Sequence, residues 1–131
     1  MVFTVNRDAW GVVIVTLLAP LTLDDRPVLC RAVEEQLRRP VCHLVLNLGN
    51  DPLGPAAVSA VLRIDALCTA RGVTRAVVTR DPDRVRRAIT DNAPSGSRPE
   101  ITVTAELATA LSAPESLHTP PPRPAAVVRA R

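Results

Sequence analysis

The chain has 131 residues and a mass of 14.0 kDa, enough for one hydrophobic core and one domain. Its aromatic content of 2% and formal net charge of +3 exclude a nucleic-acid reader that stacks bases on aromatic side chains. All 16 basic residues are arginine, and with abundant Ala, Pro and Val this reads as a GC-rich bacterial coding bias.

Phe3 to Val5 is expected to form a short strand, and Arg7 to Gly11 a polar turn. Val12 to Leu18 is short and rich in β-branched residues, so it reads as a second strand, paired with the first as a hairpin. After Ala19-Pro20, Thr22 offers an N-cap, and Asp24 and Asp25 fall in the first helical turn, where acids suit the helix dipole. Val28, Leu29, Ala32, Val33, Gln36 and Leu37 recur at helical spacing, with Pro40 as the stop.

Val41 to Gly72 is the most informative stretch. Cys42 to Leu48 is apolar nearly throughout, as in a strand covered on both faces. A loop from Gly49 to Gly54 leads to a helix that starts at Pro55, where a missing N–H costs least. Val58, Val61, Leu62 and Leu67 are expected to face inward, and Gly72 caps the end. A strand that feeds a helix N-terminus through such a loop is well placed to hold an anion. Yet the residues there, Gly54, Pro55, Ala56 and Ala57, carry almost no chemistry.

Arg75 to Thr79 reads as a strand, Asp81 to Thr90 as a helix, Asn92 to Pro99 as a loop, Ile101 to Val103 as a strand, and Ala105 to Leu111 as a helix capped by Thr104. From Ser112 the composition changes: five of the 13 prolines lie in Pro114 to Pro124, a polyproline-type segment expected to be an unstructured tail. The expected organisation is therefore a domain over 1–111 and a Pro-rich tail over 112–131. The order β-β-α-β-α-β-α-β-α predicts an α/β fold: a mixed, mostly parallel sheet with about four helices packed on it.

Little here points to catalysis. There is no GxSxG, HExxH or Walker loop. Cys30, Cys42 and Cys68 have wide spacings and no CxxC, which argues against a disulfide framework or a zinc site. An enzyme with its nucleophile at Cys42 or Cys68 would need a depressed thiol pKa, for which the sequence gives no support. His43, at a strand start, and His118, in the tail, lack a second ligand at metal-binding spacing, and His43 is expected at the surface or a strand end. No catalytic, cofactor or metal residue is therefore expected. Asp24, Asp25, Glu34 and Glu35 read as the exposed face of the first helix. Arg80 to Arg87 reads as a solvated face balanced by Asp81, Asp83 and Asp91. The longest apolar run, Gly11 to Leu18, is far below the roughly 20 residues of a membrane helix. With no signal peptide before Phe3, a cytoplasmic protein with no membrane or nucleic-acid partner is expected.

Several collinear strings resemble the STAS domain family, named for sulfate transporters and anti-sigma factor antagonists. They are Leu21-Thr22-Leu23-Asp24-Asp25-Arg26-Pro27-Val28-Leu29, Leu44-Val45-Leu46-Asn47-Leu48, Val61-Leu62-Arg63, Ala70-Arg71-Gly72-Val73 and Glu106 to Leu111. The resemblance covers about Phe3 to Leu111. The family's motif, Asp-Ser-Ser-Gly or a close variant, opens its second helix, and in the antagonists its second Ser is phosphorylated by a partner that is both kinase and anti-sigma factor. Aligned on Val61-Leu62-Arg63, the motif falls on Gly54-Pro55-Ala56-Ala57, with Ala56 at the acceptor position; without a gap in the loop it falls on Pro55-Ala56-Ala57-Val58. Either register removes the hydroxyl, and Asn47 stands where Asp is usual. Ser59 is the nearest hydroxyl, either a displaced phosphosite or a small helix residue without a role.

The resemblance implies a non-enzymatic interaction module that binds a protein partner, by resemblance an anti-sigma factor with a histidine-kinase-like fold, through Gly49 to Gly54 and the helix from Pro55, with Leu21, Thr22, Asp24 and Asp25 beside that surface. The alternative is a scaffold that forms homodimers or joins other STAS proteins, or a transporter accessory module.

Overall fold

The computed structural model describes residues 2–49, 53–94 and 99–112. The β-branched runs become strands: β1 (Phe3–Arg7), β2 (Val12–Leu17), β3 (His43–Gly49), β4 (Thr74–Thr79) and β5 (Thr102–Thr104). The helices between and after them are α1 (Asp25–Leu37), α2 (Pro55–Arg71), α3 (Pro82–Asn92) and α4 (Leu107–Leu111). The fold is α/β in the predicted order. The expected tail from 113 onward, with His118, lies outside the described residues, as do 50–52 and 95–98 of the predicted loops.

The five strands lie in the order β1-β2-β3-β4-β5. β1 is antiparallel to β2, and every later pair is parallel. A parallel crossover is right-handed, so crossovers that always step the same way place their helices on the same face. Strand alternation then sorts the core. Val13, Val15, Leu17, Leu44, Leu46, Leu48, Val77 and Val103 point to that face and join Leu29 and Val33 of α1, Val61 and Ile64 of α2, and Val85 and Ile89 of α3 in one cluster. Each such aliphatic side chain, fully buried, contributes roughly 1.5–3 kcal/mol. On the opposite face Val45, Ala76 and Val78 meet Ala110 of α4.

Two helix faces differ from the sequence reading. Val28 is 56% exposed, because α1 turns only the Leu29, Val33 and Leu37 stripe inward. On α2 the larger Val58, Leu62 and Leu67 are half-buried, while Ala56, Ala57, Ala60, Val61, Ile64 and Cys68 are buried. Small residues in that stripe let α2 approach the sheet and α1 closely, which displaces the bulkier side chains toward its flanks.

His43 also departs from expectation. It begins β3 but is 2% exposed. Its Nε2 lies 2.6 Å from the carbonyl oxygen of Ala110, and its Nδ1 lies 2.7 Å from Thr74 Oγ1. A carbonyl only accepts, so Nε2 carries a proton and donates it. His43 thereby anchors α4, whose five residues are too few to stand as an isolated helix.

Two glycines are needed for their backbone. Gly11, at φ +88°, turns β1 into β2, and a Cβ there would lie 3.4 Å from both Cys42 N and Pro40 O. Its carbonyl accepts the Cys42 N–H at 2.9 Å, tying the hairpin to the entrance of β3. Gly72, at φ +69°, ends α2 in the left-handed conformation, with Val73 N–H donating to Cys68 O at 2.9 Å.

Candidate functional site

β2 and β3 are parallel neighbours, so the segments that leave their carboxyl ends emerge at the same edge of the sheet. One is Leu18 to Asp24, leading into α1; the other leads through Leu53 and Gly54 into α2. Asn47, on β3, accepts the Gly49 N–H through Oδ1 at 3.0 Å and so shapes the strand end itself. Leu53 holds φ +64°, a conformation that is costly for a side chain with a Cβ, and turns the chain into Gly54.

Thr22 and Asp25 form a reciprocal cap. Asp25 Oδ2 accepts from Thr22 N at 3.0 Å and from Thr22 Oγ1 at 2.8 Å, and Thr22 Oγ1 accepts the Asp25 N–H at 3.3 Å. Thr22 therefore performs the predicted capping, although the regular helix begins three residues later. Asp24 is exposed and makes no side-chain cap bond.

The residues singled out by sequence divide into two groups. Thr22, Asp24 and Pro55 are exposed, and Asp25, Gly54 and Ser59 are half-buried. Leu21, Ala56 and Ala57 are buried in the core, at 7%, 4% and 1% exposure. The Ala56 methyl thus packs inward. Of the predicted loop, residues 50–52 lie outside the described residues. Three large apolar side chains stand out on the segments leaving β2: Leu18, Leu23 and Val28, each more than half exposed.

Ser59 lies between two recesses. On one side a shallow pocket of about 480 Å³ is lined by Leu53, Pro55, Val58, Leu62 and Asn92. On the other, a groove of about 310 Å³ runs between α1 and α2, lined by Arg26, Pro27, Cys30 and Arg63. Arg26 Nη1 donates to Ser59 Oγ at 2.7 Å across it. Burial pushes the Cys30 thiol up; Arg63 and then Arg26 pull it down, Glu34 pushes it up, and the net direction is upward. Arg26, Cys30 and Arg63 were missed as site residues. The Ser59–Arg63 spacing of four on one helix face was the available signal; the Arg26 partner comes from another helix, which periodicity does not register.

The remaining candidates are structural in their contacts. Cys68 is fully buried, and desolvation raises its thiol to about 11, so it is protonated at neutral pH. Cys42 is exposed and donates its thiol to Trp10 O at 3.4 Å. Glu35 pairs with Arg38 at 3.1 Å, and Asp83 with Arg86 at 2.7 Å, on exposed faces worth little in stability. Asp81 accepts the Arg84 N–H at 3.3 Å and caps α3. No group of three or more His, Cys, Asp or Glu among the described residues is placed to hold a metal, and no described helix is long and apolar enough to cross a membrane.

No family model matches the chain, and no curated protein matches it.

Proposed function

We propose that the chain is a non-enzymatic, STAS-like interaction module of bacterial cytoplasmic regulation, an anti-sigma factor antagonist without the phosphorylatable serine. The observation that carries this reading is the edge where β2 and β3 end. Leu18 and Leu23 are exposed on the segment that leaves β2, Val28 is exposed on α1, and the Ala56 methyl in the first turn of α2 is buried. Exposed apolar side chains next to a rigid helix start suit a protein partner better than a small substrate. The partner is a histidine-kinase-like anti-sigma factor. With no hydroxyl at Ala56, the phosphate that would break such a complex by repulsion has no attachment point.

The test is capture of partners by the tagged chain from its native cytoplasm, with and without ATP, compared with Leu23→Asp. Leu23 is 67% exposed, so this variant keeps the fold. Recovery of a kinase-like anti-sigma factor by the parent chain, lost with Leu23→Asp and without phosphate on the bait, supports the reading. Recovery only of the chain itself, other STAS proteins or a transporter ATPase overturns it and leaves a scaffold or transport-accessory module.

A further inference from the structure

The groove between α1 and α2 presents donors and almost nothing to accept from them. Arg26 spends one N–H on Ser59 Oγ. That contact uses Ser59 as acceptor, so the hydroxyl proton points elsewhere, and the Ser59 hydroxyl donates no hydrogen bond among the described residues. Arg63 is exposed and makes no ion pair or hydrogen bond among the described residues. The ion pairs found there are Arg38–Glu35, Arg75–Asp65 and Arg86–Asp83. Cys30 adds a weak S–H donor. The one carboxylate felt at this spot is Glu34, a helical turn beyond Cys30, and it pairs with neither arginine.

Two formal positive charges, a free hydroxyl proton and an apolar wall from Pro27 call for a ligand that only accepts. A carboxylate offers one charge in one plane. A phosphate offers about −1.5 to −2 and three oxygens spread over a tetrahedral face, which fits guanidiniums that approach from two different helices. The groove volume of about 310 Å³ admits a phosphate group with a short carbon chain attached. Arg63 and Arg26 both stand near enough to Cys30 to draw its thiol down, against the larger upward push of burial, which places both charges beside the same groove.

We infer that the Arg26–Ser59–Arg63 groove is a binding site for a phosphate or phosphate monoester. Arg63 clamps the oxygens from α2, Arg26 from α1, and Ser59 donates its hydroxyl between them. Occupancy ties the two helices together and asks nothing of a protein partner, so this site stands or falls separately from the antagonist reading.

The test is a titration of the full ¹⁵N-labelled chain with inorganic phosphate and, separately, with O-phosphoserine, at constant ionic strength near neutral pH. The expected result is saturable shifts at the amides of Cys30, Ser59 and Arg63. Affinity falls roughly tenfold in Arg63→Gln and in Arg26→Gln, and is unchanged in the control Arg31→Gln. Arg63→Gln decides the matter if Arg26→Gln loosens the fold, since Arg63 holds nothing else among the described residues. Saturation by O-phosphoserine assigns the site to esters, and saturation by inorganic phosphate alone assigns it to the free ion; either supports the groove. Shifts that rise linearly, that survive unweakened in Arg63→Gln, or that fall equally in Arg31→Gln overturn it.

Discussion

Arg75, on β4, reaches the Asp65 carboxylate of α2 with Nε at 2.8 Å, and both side chains are nearly buried, at 9% and 12% exposure. Each terminal nitrogen of the guanidinium also donates one hydrogen bond. Nη1 donates to Val73 O at 2.8 Å, and Nη2 donates to Thr69 Oγ1. Arg75 pairs in register with Leu44, so it lies on the helix-covered face and locks α2 onto the sheet. Asp65→Ala leaves a buried cation without its counter-charge and is expected to cost about 3–5 kcal/mol. The double variant Asp65→Leu with Arg75→Met removes both charges and is expected to be far closer to the parent. Urea unfolding of the three proteins checks this; an Asp65→Ala cost under about 1 kcal/mol refutes it.

His43 holds Ala110 across 67 residues of chain. Replacing it with Leu removes that donor while filling much of the space. The Ala110 carbonyl, in a residue 1% exposed, then loses its partner. Global stability is expected to fall by about 1–3 kcal/mol. The sharper readout is hydrogen exchange: amides of α4 should lose protection well before those of β3. Uniform loss across the sheet would mean that His43 supports the core rather than the helix.

The chain has no Lys and no Tyr, so cysteine thiols are the only side chains with ordinary titration between pH 9 and 11. Cys68 moves in the folded state from its ordinary value of 9.0 to about 11. The folded protein therefore keeps a proton that the unfolded chain releases. Stability is complete below pH 9, falls as pH rises toward 11, and levels beyond, with a slope approaching about 1.4 kcal/mol per pH unit. Cys30 adds to the same trend, being raised as well. Cys68→Ala should flatten most of the slope in chemical denaturation at stepped pH. An unchanged slope would place the effect elsewhere.

Ala56→Ser places a hydroxyl at the position that the proposed antagonist reading aligns with a phosphorylated serine. Because Ala56 is 4% exposed, the hydroxyl enters the core edge and is expected to lower stability by about 1–2 kcal/mol. A protein kinase would reach it only through local opening of the first turn of α2. Thermal unfolding measures the cost, and a rise in the midpoint would show that the site accommodates a polar group.

The strands were legible because β-branched runs such as Val12 to Leu17 admit few other readings, and sequential strand–helix units left one simple topology. Helix orientation was legible where a stripe was unambiguous, as at Leu29, Val33 and Leu37. It failed at Val28 and Leu62, because hydrophobicity alone does not reveal that alanines are chosen for close approach. The burial of His43 was illegible for another reason: its partner Ala110 is distant in sequence and offers only a backbone atom, which leaves no trace in residue type. Ser59 was noticed as a hydroxyl, but the arginine that grips it, 33 positions earlier, comes from the packing of α1 on α2.

The nearest-neighbour strand order has a consequence for how the protein is made. After the β1–β2 hairpin, each strand from β3 to β5 docks beside the one synthesised just before it, with the intervening helix already available to cover the seam. No strand must wait for a distant segment to open a gap in the sheet, so the loops to be closed stay short and the entropy lost at each step stays small. The sheet is thus able to grow in the direction of translation, one strand–helix unit at a time, with its unfinished edge always at the ribosome side.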